Sequence, residues 1–200
     1  MSERNVVVTG FGPFGIHSIN ASSEVVKSLP EKIKDVNIIK FEIPVVYEIV
    51  DEKIPELWEQ YQPILIVHVG VSERAQSITL ETNANRTGYI KKDYHGCCHN
   101  TGDICDDNSK DCLKTGLCIN DICDHLNKSG KVKACISNDA GRYLCEYIFY
   151  KSLYVDHTKV LFVHVPMLNQ PYSCEQLTEG LIIIIERALE MLMLSEEKSL

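Results

Sequence analysis

The sequence predicts an α/β fold, a single-domain α/β/α sandwich with a mostly parallel central sheet over residues 1–200. Segments with strand patterns alternate with helical segments along the whole chain, which is typical of a parallel sheet covered by helices. The strand segments are apolar on both faces, as in Val6-Val7-Val8, so helices are expected on both sides of the sheet. The length of 200 residues suits one domain with a sizeable core.

The first half of the chain supplies three apolar strands and two helices. A strand at 5–9 is ended by Gly10, and residues 10–15 form a Gly-rich loop. Asn20, Ser22 and Ser23 are candidate caps for a helix that runs to about residue 29. The remaining elements are a strand at 36–43, a helix at 46–61 with Pro55 near its start or at a kink, and a strand at 64–69 ended by Gly70.

The second half continues the alternation after a polar interruption. A short strand at 77–80 precedes a long Gly-, Asn- and Asp-rich loop at 83–112. The elements that follow are a helix at 113–126, a strand at 132–137, a turn at 138–141, a helix at 142–154, a strand at 159–165 and a closing amphipathic helix at 175–194.

Composition and charge exclude several classes of function. The formal net charge of −8 argues against nucleic acid or an anionic membrane surface as the principal partner. The N-terminus lacks the apolar core of a signal peptide, and no apolar segment is long enough to span a bilayer. The nine cysteines are an odd number in a chain too large to be a disulfide scaffold, which favours a cytosolic protein with free thiols. The sequence does not indicate an oligomeric state.

Three residues are candidates for nucleophilic chemistry, because sites in parallel sheets form at the carboxyl ends of strands. Cys145 follows such an end and lies near the first turn of the next helix, where the helix N-terminus stabilises a thiolate. His164 ends an apolar strand and could act as the base that a cysteine nucleophile needs. His68 ends another strand and is a rival base; either histidine could instead be a hydrogen-bonded core residue.

Two carboxylates could orient the base. Glu81 follows the short strand at 77–80 and could bind the second ring nitrogen of a catalytic histidine, as the third member of a triad does. Asp139, just before the helix that carries Cys145, is the competing candidate. A solvated surface role for Glu81, or a turn-forming or capping role for Asp139, is the simpler alternative.

Phe11 and Phe14 flank Gly12-Pro13 on the first strand-end loop. Two aromatic rings on a Gly-rich loop could form a slot for a flat apolar ligand ring. A phosphate-binding loop is disfavoured, because the third glycine of a dinucleotide motif and a Gly-Lys-Ser/Thr sequence are both missing.

A cysteine-rich stretch raises the alternative of a non-catalytic peptide- or zinc-binding protein on the same fold. Its ligand spacing is poor, since structural zinc sites pair ligands two to four residues apart. A thiol-redox function is disfavoured by the absence of a Cys-x-x-Cys pair. The stretch contains Cys97, Cys98, Cys105, Cys112, Cys118 and Cys123, with His95, His99 and His125 nearby.

Four segments, in order, resemble the pyroglutamyl-peptidase I family of cysteine peptidases, and most closely its animal-type members. The first two are Thr9-Gly10-Phe11-Gly12-Pro13-Phe14-Gly15 with Asn20-Ala21-Ser22, and Val67-His68-Val69-Gly70 leading to Ile78-Thr79-Leu80-Glu81. The other two are Ser137-Asn138-Asp139-Ala140-Gly141-Arg142-Tyr143-Leu144-Cys145 and Phe162-Val163-His164-Val165-Pro166. The resemblance runs from residue 6 to about residue 193.

The resemblance implies a specific activity and specific roles. It implies hydrolysis of the N-terminal pyroglutamyl residue from peptide substrates, with no metal or organic cofactor. Cys145 would be the nucleophile, His164 the base and Glu81 the residue that orients it, while Phe11 and Phe14 would line the pocket for the pyrrolidone ring.

The chain also departs from the bacterial members of this family. They tend to have Gln where Val71 stands and Arg where Ala75 stands, so polar contacts from those positions are lost here or replaced by Arg74. Arg86 is the candidate for the arginine that helps the oxyanion in bacterial members, although residues 82–89 differ from the bacterial pattern.

Overall fold

The computed structural model describes residues 4–15, 19–99, 104 and 110–197, with side chains to Leu194. The first half of the chain forms four strands and two helices. These are β1 (Asn5–Phe11), α1 (Ala21–Lys27), β2 (Lys32–Ile33), β3 (Val36–Ile43), α2 (Tyr47–Tyr61) and β4 (Leu65–Val71).

The second half adds five strands and three α-helices. These are β5 (Ile78–Glu81), β6 (Asn83–Asn85), β7 (Cys112–Lys114), α3 (Ile119–Ser129), β8 (Ala134–Ser137), α4 (Leu144–Asp156), β9 (Val160–Val165) and α5 (Cys174–Glu197). A single turn of 3-10 helix at His157–Lys159 joins α4 to β9.

Seven strands form one mixed sheet in the order β2-β3-β1-β4-β9-β5-β8. The pairs β1–β3, β1–β4, β4–β9 and β5–β8 are parallel, whereas β2–β3 and β5–β9 are antiparallel. The prediction of a mostly parallel sheet is therefore confirmed. The antiparallel placement of β5 was not predicted, and it determines where Glu81 lies.

Helices cover both faces of this sheet. Val6 and Val8 of β1 pack with α1, α3 and α5 on one face, and Val7 packs with α2 and α4 on the other. All three valines are fully buried. The run of consecutive apolar residues that predicted this burial is explained by the two helical layers of an α/β/α sandwich.

Two glycines that were predicted to end strands lie inside them instead. β1 continues through Gly10 to Phe11, and β4 continues through Gly70 to Val71. A Cβ atom on Gly10 would lie 2.7 Å from the carbonyl oxygen of Ser22, so this glycine allows α1 to pack closely on β1. The two glycines are required by close packing rather than by a turn.

The region after β5 was predicted least well. The predicted loop at 83–112 begins and ends in strands, because β6 pairs antiparallel with β7. The predicted helix at 113–126 was wrong at its start, and α3 begins only at Ile119. Pairing with β6 holds Cys112–Lys114 in the extended conformation, an example of tertiary structure overriding local helix propensity.

The other predicted elements are confirmed, with ends shifted by a few residues. β3 has the predicted bounds, Asn20 caps α1 by accepting from the Ser22 amide, and Pro55 lies within α2. None of the helices in the described part of the chain is long and apolar enough to cross a membrane.

Candidate active site

Cys145 lies in the first turn of α4, beside the carboxyl end of β4. No side chain caps this helix, so N–H groups of its first turn, which have no partner within the helix, remain available next to Cys145. Gly70 of β4 makes room for the sulfur, because a Cβ atom there would lie 2.8 Å from Cys145 Sγ and 3.1 Å from His164 Cδ2. The thiol and the imidazole therefore meet over the same glycine.

His164 and Glu81 are joined across the antiparallel β5–β9 pair. Glu81 lies opposite Phe162, so its carboxylate reaches the diagonal neighbour His164 on the same face of the sheet. The Nδ1 atom of His164 is 2.8 Å from Oε1 of Glu81, and both side chains are buried. Because Nδ1 donates to Glu81, the Nε2 atom is the one available to Cys145.

The pKa of His164 is controlled by these two partners. Burial lowers it, but hydrogen bonds to Cys145 and to Glu81, together with their negative charges, outweigh burial and raise the pKa to about 10. The second carboxylate oxygen of Glu81 is buried and has no hydrogen-bond partner among the described residues. The carboxylate charge is therefore balanced mainly by the imidazolium, which favours a protonated His164 near neutral pH.

The rival residues lie elsewhere or are already engaged. His68 is fully buried and hydrogen-bonded at both ring nitrogens, by Thr9 and by Ser152, at 2.7 Å each. Burial lowers its pKa to about 3, so it is a neutral core histidine. Asp139 is exposed and accepts from the Gly141 amide and the Arg142 guanidinium, which is the role of a turn former.

A small apolar slot opens beside Cys145, with a cavity volume of about 70 Å³. The two aromatic rings predicted to form it are both present in its wall. The slot is lined by Phe11, Phe14, Asn20, Val45, Val71, Tyr143, Leu144 and Cys145. Among the described residues, no Asp, Glu, Lys or Arg side chain lines it, so it suits an uncharged, flat group.

Asn20 supports this slot and was considered in the sequence only as a helix cap. Its side-chain oxygen accepts from the amide and the hydroxyl of Ser22, while its side-chain nitrogen donates to the Gly12 carbonyl at 3.0 Å. One buried amide thus ties the Gly-rich loop to α1. The same asparagine therefore fixes the loop that carries Phe11 and Phe14.

Glu146 is a second residue that the sequence analysis missed. It is fully buried directly after Cys145, and its carboxylate accepts from the backbone and side chain of Asn85 and from the backbone and guanidinium of Arg142, at 2.7–2.9 Å. Arg142 has a φ of 51°, in the left-handed region. This carboxylate stabilises the turn that leads into α4 and so holds the helix N-terminus in place.

Asp93 was likewise missed, and it fixes the loop beside the site. Its buried carboxylate accepts from the Tyr47 amide at the start of α2 and from the amides of His95 and Cys97. The Tyr143 hydroxyl donates to the Lys92 carbonyl at 3.0 Å. An acidic residue distant in sequence therefore caps α2, which no local pattern could have revealed.

The cysteine-rich stretch does not form a metal centre in the described part of the chain. Cys97, Cys98, Cys112 and Cys118 are exposed free thiols, and Cys123 is buried in α3. Among the described residues, no three His, Cys, Asp or Glu side chains could together hold a metal ion. Cys105 lies outside the described residues.

The two arginines considered from the sequence have different environments. Arg74 lines a wider groove that adjoins the slot. Arg86 forms an ion pair with Asp111 at 3.1 Å. The arginine nearest to Cys145 in the sequence is Arg142. Its guanidinium donates to the Glu146 carboxylate and so stabilises the turn that leads into α4.

Comparison with known proteins gives a consistent result. A family profile described as pyroglutamyl peptidase matches residues 4–192. The chain is 42% identical to human pyroglutamyl-peptidase 1 over 197 residues, which covers 96% of this chain and 93% of the human protein. It is 30% identical to the pyrrolidone-carboxylate peptidase of Finegoldia magna, covering 96% and 94% of the two chains.

Solved structures agree with the sequence comparison. A mutant pyrrolidone carboxyl peptidase from Pyrococcus furiosus superimposes with a TM-score of 0.86 at 29% identity, covering 94% of this chain and 99% of that chain. The pyrrolidone carboxyl peptidase from Thermus thermophilus gives a TM-score of 0.82 at 25% identity, covering 90% and 98%.

Proposed function

Because this chain belongs to the pyroglutamyl peptidase family, we propose that it removes an N-terminal pyroglutamyl residue through a site made of Cys145, His164 and Glu81. The chain is a cysteine peptidase whose substrates are peptides. In this proposal Cys145 is the nucleophile, His164 exchanges protons with the reacting groups, and Glu81 orients and charges His164.

One observation carries the assignment of these residues. Three separate elements, α4, β9 and β5, bring a thiol, an imidazole and a carboxylate together at the uncapped N-terminus of α4, where the imidazole is hydrogen-bonded to the carboxylate and lies over the same glycine as the thiol. A cysteine nucleophile needs a base, an orienting group and oxyanion donors in this arrangement. None of the other cysteines has a described environment of this kind.

Substrate recognition is proposed to depend on the apolar slot. The pyroglutamyl ring is a lactam and carries no ammonium group, so its burial between Phe11 and Phe14 costs little if its amide is hydrogen-bonded. An N-terminal residue that is not cyclised would have to bury a charged ammonium group against uncharged side chains. The slot therefore favours the cyclised residue, because that residue carries no ammonium group.

The acylation step follows from the position of the thiol. The Cys145 thiolate attacks the pyroglutamyl carbonyl carbon and forms a C–S bond, while the oxyanion accepts from backbone N–H groups in the first turn of α4. His164 then gives its Nε2 proton to the leaving amine as the C–N bond breaks. The shortened peptide departs and leaves a pyroglutamyl thioester on Cys145.

Deacylation uses the same residues in reverse order. Neutral His164 takes a proton from a water molecule, and the resulting hydroxide attacks the thioester carbonyl. The C–S bond breaks, pyroglutamate leaves, and the thiolate–imidazolium pair is restored. Glu81 stabilises the imidazolium each time it forms, in the way that the carboxylate of a Ser-His-Asp triad does.

The selectivity of the slot can be tested with two coumarin amides that differ in ring closure. We expect the purified protein to hydrolyse pyroglutamyl-aminomethylcoumarin with a kcat/KM about 50-fold or more above that for glutaminyl-aminomethylcoumarin, because a buried unpaired ammonium costs several kcal/mol. Glutamine is the open-chain counterpart of the ring, so size is nearly matched. Equal rates for the two amides would contradict the proposed function.

We propose further that the whole chain is one catalytic domain that acts in the cytosol and has no nucleic acid partner. The single-domain proposal is supported by the sheet, which takes strands from both halves of the chain. The cytosolic location is supported by exposed free thiols such as Cys97 and Cys135, which persist in a reducing compartment. The net charge of −8 disfavours binding to nucleic acid.

A further inference from the structure

A wider groove continues from the ring slot and is not used by the proposed chemistry. Its volume is about 370 Å³, which is in the range of ligand-binding clefts. It shares Phe14, Asn20 and Val71 with the slot, so the two cavities adjoin.

The position of the groove indicates which part of a substrate would occupy it. Gly141 and Met167 line the groove, and they belong to the segments that lead into Cys145 and out of His164. When the ring fills the slot and the scissile carbonyl lies at Cys145, the residues after the pyroglutamyl group must leave the slot. The groove is the adjoining space with enough room for them.

Arg74 approaches the groove from the turn after β4. The Ala75 amide donates to the Ser72 carbonyl at 3.1 Å, which closes the turn. The Ser72 amide donates to the Val165 carbonyl of β9 at 2.9 Å, which anchors the turn to the sheet. The backbone that carries Arg74 is therefore held in place, although its side chain is exposed.

Lys91 approaches the groove from the loop after β6. The Tyr47 hydroxyl donates to the carbonyl of Lys91 itself at 3.2 Å, and the Tyr143 hydroxyl donates to the next carbonyl. The buried carboxylate of Asp93 fixes the loop two residues further along. This cation is thus also presented from an anchored backbone.

Neither cation is neutralised by the described part of the protein. The side chains of Arg74 and Lys91 make no ion pair and no hydrogen bond there. Glu73 also lines the groove, but it is engaged in an interaction of its own. Two cations without a partner among the described residues thus line one groove of a chain whose net charge is −8.

We propose that this groove is a subsite for the leaving peptide that favours a carboxylate, through Arg74 and Lys91. The inference rests on the proposed function, since it assigns a preference to the same site. The carboxylate could come from an acidic side chain just after the scissile bond or from the free C-terminus of a short peptide. Both sources present the same chemistry to the two cations.

The preference is measured with peptides that differ in a single charge. One pair is a pyroglutamyl-glutamyl-alanine amide and its glutaminyl counterpart, and a third peptide is the glutaminyl sequence with a free C-terminal carboxylate. We expect kcat/KM for at least one carboxylate peptide to exceed that of the neutral peptide by about fivefold at low salt, as two exposed ion pairs allow. About 0.5 M salt should reduce the ratio below about twofold.

Variants then assign the preference to the two side chains. The double variant Arg74→Gln with Lys91→Gln is expected to hydrolyse charged and neutral peptides with equal kcat/KM. Lys92→Gln is the matched control, because Lys92 is an exposed neighbour whose side chain does not line the groove. It is expected to keep the wild-type ratio.

The outcomes separate this inference from the proposed function. A ratio that favours only the glutamyl peptide supports a side-chain carboxylate, and one that favours only the free acid supports the C-terminus. If the wild type cleaves all three peptides equally, or if the double variant keeps the preference, the subsite is wrong while the peptidase stands. If no pyroglutamyl peptide is cleaved, the proposed function itself fails.

Discussion

Replacing Cys145 with serine is expected to lower kcat for pyroglutamyl-aminomethylcoumarin by about 10⁴-fold or more, as loss of a catalytic nucleophile does in other hydrolases. In the proposed mechanism the attacking group is a thiolate beside a protonated imidazole, and the hydrogen bond to Cys145 is one of the two that raise the pKa of His164. A serine hydroxyl stays protonated in this environment and cannot supply the charge. The release of aminomethylcoumarin, followed by fluorescence, measures the loss.

The matched control for this change is Cys135→Ser. Cys135 is an exposed free thiol on the edge strand β8, where its sulfur contacts the hydroxyls of Ser77 and Thr79. This variant is expected to keep nearly full activity, and both variants should unfold at temperatures close to that of the wild type. A Cys145→Ser variant with more than about a tenth of wild-type activity would contradict the assigned nucleophile.

Replacing Glu81 with glutamine is expected to lower kcat/KM by about 10²–10³-fold at neutral pH and to move the alkaline limb of the activity profile to lower pH. The charge of Glu81 helps to raise the pKa of His164 to about 10, so its removal lowers that pKa. His164 then loses the proton that the leaving amine needs at a lower pH than in the wild type. Rates measured from about pH 5 to about pH 10 test both effects.

Asp139→Asn is the matched control, because Asp139 is the other carboxylate near the nucleophile helix. Its side chain is exposed and accepts from the Gly141 amide, a bond that an asparagine oxygen can keep. Its pH profile is expected to overlay that of the wild type. An unchanged alkaline limb in Glu81→Gln, or a shifted one in Asp139→Asn, would show that Glu81 does not control the protonation of His164.

Local patterns were sufficient for most of the fold. The apolar runs in β1, β4 and β9 predicted a sheet buried on both faces, and Asn20 predicted the start of α1, because these signals depend only on neighbouring residues. The largest failure was the region of β6 and β7, which pair across more than 25 intervening residues. Strands of three residues are too short to show a periodic pattern, so only the tertiary structure reveals them.

Some site residues were predicted from the sequence and others were missed, because local patterns do not report contacts between segments that are distant in sequence. Strand ends and a helix N-terminus identified Cys145 and His164 as candidates but left His68 as a rival base. The family resemblance favoured His164, and the fold shows why His68 is unsuitable, since both of its ring nitrogens are hydrogen-bonded in the core. Glu81 lies diagonally across from His164 because β5 runs antiparallel to β9. The rule that sites form at the carboxyl ends of parallel strands does not predict this placement. The buried Glu146 and Asp93 bind segments far from them in sequence, and so no local spacing identified them.

The central claim, that Cys145 attacks the pyroglutamyl carbonyl, is tested most directly by locating the label left by a pyroglutamyl chloromethyl ketone. This reagent places an electrophilic carbon beside the nucleophile and alkylates it irreversibly. Mass spectrometry of the inactivated protein is predicted to show the label on Cys145, in proportion to the activity lost and reduced when free pyroglutamate is added. Inactivation with the label on another of the nine cysteines, or full labelling of Cys145 with activity retained, would contradict the account.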